Sequence, residues 1–490
     1  MGSLEPVGLR GDLCSRPFIE REDFPTSGHV FRNLLVLHML RSGTSSSTGI
    51  LDVAFKLYLL FIASWLLHLP YRLPALALVR FDVALVIIIS ALIVLGYSAG
   101  ENSFDSRTNR LVLLLVAYFI ITLPLVQWPG SVLNYGLQRF IKAVVFYYFT
   151  VRLTTTHRKL SQLLFVFVIC QCFRVLEPLY LHLTQGYWGG AATMLDGEDM
   201  VRLSGAPGDV INPNGLAFVV VTIIPFAHYL WTGRVIGRLA YLALLPCLIY
   251  VLVLTGSRSG MVALGMTFTV IWFHSHHKVL LATLLLVVLT AVVPRLSANL
   301  ADRYLSIVSS DTKNAGSAQG RLDGMVLDVA VAAHRPLFGH GLGTSAEANA
   351  NFRGTNQLSH NLFAEVLQEL GLVGMFIFAM LLRSIWTGTQ QALATLRNSP
   401  TANPLLLRLG RTVRVWLAVS ILGSLFTYGL SSYNWYFLAG LADVVTALLE
   451  HHATVATTGR RGLAGAVDEP IRDLRSLRRP AAGLGGATHA

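Results

Sequence analysis

Apolar runs of close to twenty residues recur along most of this chain, separated by short polar breaks. Each is long enough to cross about 30 Å of hydrocarbon as a helix. The runs predict about twelve spans, at 50–69, 80–98, 111–128, 138–153, 160–182, 211–231, 238–255, 259–274, 278–294, 359–383, 412–430 and 434–450. One long polar stretch interrupts them, from Pro294 to Leu358, between the ninth and tenth. The expected fold class is therefore all-α: a polytopic membrane domain over 50–450, with a large loop at 295–358. An N-terminal tail covers 1–49 and a C-terminal tail 451–490. The first 48 residues are too polar, and too long before the first apolar run, for a cleaved signal peptide. Val30 to Leu40, apolar around Arg32 and His38, reads either as a surface-lying helix or as part of a disordered tail. The C-terminal tail is rich in Ala, Gly and Arg without apolar periodicity, the composition of a disordered segment. No short-period repeat is present.

Composition agrees with the pattern. Charged residues make up 13% of the chain and hydrophobic ones 53%, whereas a soluble domain carries about a quarter charged. The net charge of +12 resides in short loops and tails, which is the signature of membrane orientation and excludes a nucleic-acid face. The N-terminal tail, the 151–159 connection (Arg152, Arg158, Lys159), the 383–414 connection and the C-terminal tail hold most of the arginines. With an even span count these all fall on one side, so both termini are expected in the cytoplasm. The opposite side then receives the acidic 183–210 loop, the Gly256–Gly260 turn and the long loop. Cys14, Cys170, Cys172 and Cys247 form no Cys-x-x-Cys pair and no disulfide framework.

Candidate chemistry gathers on that expected outer side. His360 stands where the long polar loop runs into an apolar helix, in Leu358-Ser359-His360-Asn361-Leu362-Phe363. An imidazole there can accept a proton near neutral pH, and a structural histidine is the bland alternative. Arg258, in Gly256-Ser257-Arg258-Ser259-Gly260, is a charge between two spans. Such a residue either faces a wet cavity, where its planar fork suits phosphate oxygens, or snorkels to headgroups. Arg202 lies in a Gly/Pro-containing loop leading to Asn212-Pro213-Asn214-Gly215, where Asn214 is expected to cap a helix whose N-terminus favours anions. Arg321 opens an amphipathic stretch, 320–333, followed by His334, Arg335 and Pro336-Leu-Phe-Gly-His-Gly-Leu-Gly343. His334, His340 and His360 could together hold zinc, though their spacing fits no ligand pattern, and Asp196, Glu198 and Asp199 could hold a hard cation. Arginines with a helix N-terminus can hold a diphosphate and stabilise it as a leaving group. A nearby histidine can deprotonate an attacking hydroxyl, and apolar helices can accommodate a lipid. The pieces describe group transfer from a lipid diphosphate to an alcohol, without metal or other cofactor.

Four segments resemble the bacterial O-antigen ligase and O-antigen polymerase superfamily of membrane glycosyltransferases. They are Arg202 to Asn214, the Gly-Ser-Arg258-Ser-Gly turn, Gly320-Arg321 through Gly343, and Ser359-His360-Asn361-Leu-Phe with Glu369-Leu-Gly371-Leu-Val-Gly374. The resemblance implies a GT-C-type helical fold in the bacterial inner membrane. It implies a polyprenyl (undecaprenyl) diphosphate-linked glycan as donor and a sugar or lipid-linked sugar as acceptor, with other polysaccharide-export proteins as partners. It makes His360 the base, lets Arg258 and Arg202 contact the diphosphate, and carries Arg321 over more weakly. Ligase and polymerase share these motifs; polymerase is the slight preference. Two other classes stay open: a transporter of a small anion such as bicarbonate, and a metal-dependent GT-C enzyme using Asp82 or the 196–199 acids.

Overall fold

The computed structural model describes residues 49–97, 105–189, 201–275, 278–292, 298–305, 315–399 and 403–459. Their regular structure is all helical. The helices are α1 (Gly49–Leu67), then α2 (Phe81–Gly96), α3 (Arg107–Thr122), α4 (Leu137–Leu153), α5 (His157–Gln185), α6 (Pro213–Phe226), α7 (Val235–Leu254) and α8 (Arg258–His274). They continue with α9 (Lys278–Val292), α10 (Ala298–Leu305), α11 (Ala315–Ala332), α12 (Ser345–Arg353), α13 (Leu362–Asn398), α14 (Pro404–Gly423) and α15 (Tyr433–Gly459). Short turns of helix lie between α1 and α2 and before α4.

Each predicted apolar segment overlaps a helix among the described residues, although the helices at 111–128 and 412–430 end early, at Thr122 and Gly423. Five are long and apolar enough to cross a membrane: α1, α5, α6 with the turn running on to Trp231, α7 and α13. α2, and parts of α8 and α9, are apolar but shorter. Large apolar side chains such as Ile87, Ile121, Phe165 and Phe376 face outward, as lipid-facing helices require. The long polar stretch is not one loop, because α10, α11 and α12 are built from it. α15 runs past the predicted tail boundary to Gly459. The N-terminal tail with Val30–Leu40, the acids at 196–199, His276, His277 and the tail from 460 lie outside the described residues.

Helix starts follow local chemistry. Ser106, Thr156, Ser257 and Asn403 each accept from a backbone N–H two or three residues on, filling donors that a helix start leaves open. Inside, aromatic rings lock the elements together. Phe167 of α5, Phe226 of α6, Trp416 of α14 and Phe437 of α15 form one cluster. Phe61 of α1 and Phe146 of α4 meet at 5.1 Å in another.

α13 is not one continuous helix. Gly371 has φ 64° and ψ −167°, a combination that needs glycine. The break frees backbone groups, and the 336–341 segment takes them. His340 N donates to Gln368 O (2.8 Å), Gly341 N to Glu369 O (2.9 Å) and Leu372 N to Pro336 O (2.7 Å). The Leu370 carbonyl accepts from the Tyr118 hydroxyl of α3. Two motifs some thirty residues apart are thus zipped backbone to backbone.

A candidate anion and base site

The loop from 201 to 212 is held by a buried ion pair. Arg174 of α5 donates to Asp209 through Nε (2.6 Å) and Nη2 (3.0 Å), and also to Gln171, whose amide donates to the Tyr433 hydroxyl. His68 Nδ1 lies 3.2 Å from Asp209 Oδ1. Burial alone would raise the Asp209 pKa, but His68 and Arg174 outweigh it and hold the carboxyl below its usual range. Arg72, which forks onto Glu177 of α5, fills the space beside Gly208. The sequence flagged none of these partners, although Arg174 and Glu177 interrupt an apolar span and were visible on that ground.

This clasp presents Arg202 to the end of α7. Arg202 Nε donates to Thr255 O (2.8 Å) and Nη2 to Asn214 Oδ1 (2.8 Å). Asn214 is therefore not the cap expected from the sequence. The cap is Asn212, whose Oδ1 accepts from Gly215 N, because Pro213 with its fixed φ occupies the first helical position. That leaves the Asn214 amide oxygen to accept from Arg202.

The turn between α7 and α8 carries Arg258. Gly256 adopts φ +59°, and any Cβ there would press on Leu300, Arg202 Nε and the Arg303 side chain. Ser257 caps α8, and Arg258 is its first residue, half-buried. A Cβ at Gly260 would sit 2.7 Å from Ala217 Cβ, so this glycine lets α8 approach α6 closely. α10 closes the turn from the other side. Arg303 Nε donates to Gly256 O (2.8 Å) and the Tyr304 hydroxyl to Val253 O (2.8 Å). Arg303 is only 2% exposed. Arg202 and Arg303 therefore anchor their Nε–H groups on consecutive carbonyls, Thr255 and Gly256, three and two residues before Arg258. Burial pushes the Tyr304 phenol up, and the same two arginines work against that rise. Three guanidinium-bearing residues and two helix N-termini share this corner, an arrangement suited to an anion. Arg303 carries no signal in the sequence, where its polar surroundings read as loop.

His360 lies just before α13, exposed, as the sequence predicts. Gln357 Nε2 is 2.7 Å from His360 Nε2. An amide nitrogen only donates, so the ring nitrogen accepts and its lone pair is engaged by the Gln357 N–H. Asn361 caps α13 on Phe363 N and Ala364 N, while its Nδ2 donates to Leu425 O. Leu362 N donates to Ser424 O (2.9 Å) and the Glu365 carboxylate accepts from Gly429 N (2.7 Å) and Leu430 N. The α14–α15 connection is thereby pinned to the start of α13, with Tyr428 facing His360 at 6.4 Å between ring centroids. Glu369 likewise takes Gly343 N and Ser345 N.

α14 links the elements that carry the two clusters. Phe218, one turn beyond Asn214, packs against Gly423, whose neighbour Ser424 bonds Leu362. Arg321 lies on α11, one turn before Met325, whose sulfur meets Asn361 Nδ2 at 3.1 Å. His340 is buried and fully engaged, with Nδ1 at Gln127 (2.8 Å) and Nε2 at Val331 O (3.1 Å), and burial lowers its pKa. His334 stacks on Phe352. Among the described residues no three His, Cys, Asp or Glu side chains are placed to hold a metal ion. Asp82 accepts from the Ser64 hydroxyl.

A family profile described as O-antigen ligase matches residues 241–379, from α7 into α13, which includes Arg258, Arg303, Arg321 and His360 but neither Arg202 nor Asn214. No curated protein matches the chain.

Proposed function

From the match of residues 241–379 to a profile described as O-antigen ligase, we propose that this integral membrane protein transfers a glycan from a polyprenyl diphosphate to a sugar hydroxyl at the outer face of the bacterial inner membrane. The reading includes a GT-C-type domain of twelve spans over 50–450, cytoplasmic termini and a metal-independent reaction. The donor diphosphate lies against Arg202, Arg258 and the paired N-termini of α6 and α8, with Asn214 and Arg321 as further contacts. The cations stabilise charge as the polyprenyl diphosphate departs. His360 Nε2 takes the proton of the acceptor hydroxyl while its oxygen bonds to the anomeric carbon. Apolar helix faces accommodate the polyprenyl chain.

The observation that carries the reading is the anchoring of Arg202 and Arg303 on the Thr255 and Gly256 carbonyls, three and two residues before Arg258. It turns a loop arginine, a turn and a helix of the long connection into one cationic corner. The lone pair on His360 Nε2 adds the base. The surface glycan of a deletion strain tests the function. Single-repeat chains identify a polymerase, which the reading slightly prefers, and complete glycan retained on its carrier identifies a ligase. An unchanged surface glycan overturns both.

A further inference from the structure

Tyr428 is 46% exposed, and the chain on either side of it is hydrogen-bonded in place. Its connection is tied to α13 at Leu362 N–Ser424 O, at Asn361 Nδ2–Leu425 O, and at Gly429 N and Leu430 N on the Glu365 carboxylate. Gly429, with φ +134°, turns its N–H onto Glu365 in a conformation that other residues rarely adopt. An exposed aromatic ring is thus held beside an exposed imidazole, with ring centroids 6.4 Å apart. Gln357 places a donated N–H on Nε2 of that imidazole at 2.7 Å. An acceptor hydroxyl surrendering its proton to His360 must occupy the same position.

Resting on the function proposed above, we propose that Tyr428 is the stacking platform of the acceptor sugar, and that the Gln357 amide marks the place its attacking hydroxyl takes. Sugar rings present apolar C–H faces, and a tyrosine ring offers a large rigid surface at little cost in side-chain entropy. A ring stacked on Tyr428 lies beside His360, so one of its hydroxyls reaches Nε2 when Gln357 swings aside. The platform contributes binding and orientation only; the O–H proton passes to His360, and the new glycosidic bond replaces the bond to the diphosphate.

The test uses the full chain in nanodiscs, with donor and acceptor glycolipids extracted from the deletion strain. Tyr428→Leu is expected to raise the acceptor KM about tenfold while the donor KM stays within about twofold. Tyr428→Phe and Tyr428→Trp are expected to keep wild-type acceptor KM, since both retain a flat ring. A tyrosine serving only as an interfacial anchor predicts no acceptor-specific change in Tyr428→Leu. That result, or equal rises in both KM values, overturns the platform while product formation by the wild type leaves the transferase reading intact. Absence of any product from the wild type overturns the transferase reading itself.

Discussion

Arg174 and Asp209 form a two-bond ion pair, Nε to Oδ2 at 2.6 Å and Nη2 to Oδ1 at 3.0 Å, with both side chains almost wholly buried. The pair joins a membrane-length helix to the loop that carries Arg202. Replacing one partner leaves the other charge buried without its counterpart, which costs about 3–5 kcal/mol. Asp209→Ala should therefore lower the thermal unfolding midpoint in detergent sharply. The double replacement Arg174→Leu with Asp209→Leu should recover much of that loss. A single replacement as stable as the wild type would show that the clasp does not hold the loop.

The same pair sets an acid limit. The Asp209 pKa is depressed in the folded chain, so its contribution is fully present above the ordinary carboxylate pKa. It is lost as pH falls through the lower, folded value. Opening of the 201–214 segment, read from hydrogen exchange corrected for its intrinsic pH dependence, should consequently stay constant from neutral pH down to about 5 and rise only in stronger acid. A rise centred near pH 6 would assign the control to another group.

Gly371 should not tolerate a side chain. An added Cβ would overlap the Leu337 carbonyl, and Gly339 faces the Glu369 backbone in the same way. Gly371→Ala carries about 1–3 kcal/mol from its backbone angles alone, before that overlap is relieved. Gly388→Ala, in the same helix, meets nothing within 4 Å and should gain about 0.5–1 kcal/mol. Thermal unfolding of the two variants side by side checks the contrast.

His360→Ala should lower kcat for glycan transfer by about 10²–10⁴ with the donor KM nearly unchanged, in the range for loss of a general base. Wild-type transfer should persist in EDTA. Full activity in His360→Ala would remove the base from the scheme, and loss of wild-type activity on chelation would favour a metal-dependent enzyme.

Arg303 acts through the turn it holds, so its variants should report on the donor. Arg303→Met is expected to raise the donor KM about tenfold and to leave the acceptor KM in place. Arg303→Lys should restore less than half of that loss, because lysine lacks the planar fork whose Nε–H reaches Gly256 O. Equal rises in both constants would mark Arg303 as a general structural residue.

The helices were legible because apolar runs of membrane length leave little choice of structure. The position of His360 was legible too, since a polar segment meeting an apolar run fixes a helix mouth. Asn214 was misread as the cap because the pattern of capping residues is degenerate by a residue or two, and only Pro213 breaks the tie. Arg303 was hidden because a short amphipathic helix within a polar stretch has no apolar run to announce it. The zip between 336–341 and 368–372 was out of reach, because backbone bonds between distant segments leave no side-chain pattern to read. The two glycines that permit it were in view, but not their meeting.

The break at Gly371 divides α13 into an anchor and a head. Residues 372–382, the apolar run between the break and Arg383, cover about 16 Å at about 1.5 Å per residue, half of the roughly 30 Å of a hydrocarbon core. The head, which bears Glu365 and Glu369 and adjoins His360, has its carboxylates enclosed by backbone N–H groups of two neighbouring connections. Its direction is set at Gly371 and by the strands of chain bonded to it, rather than by the tilt of the anchor.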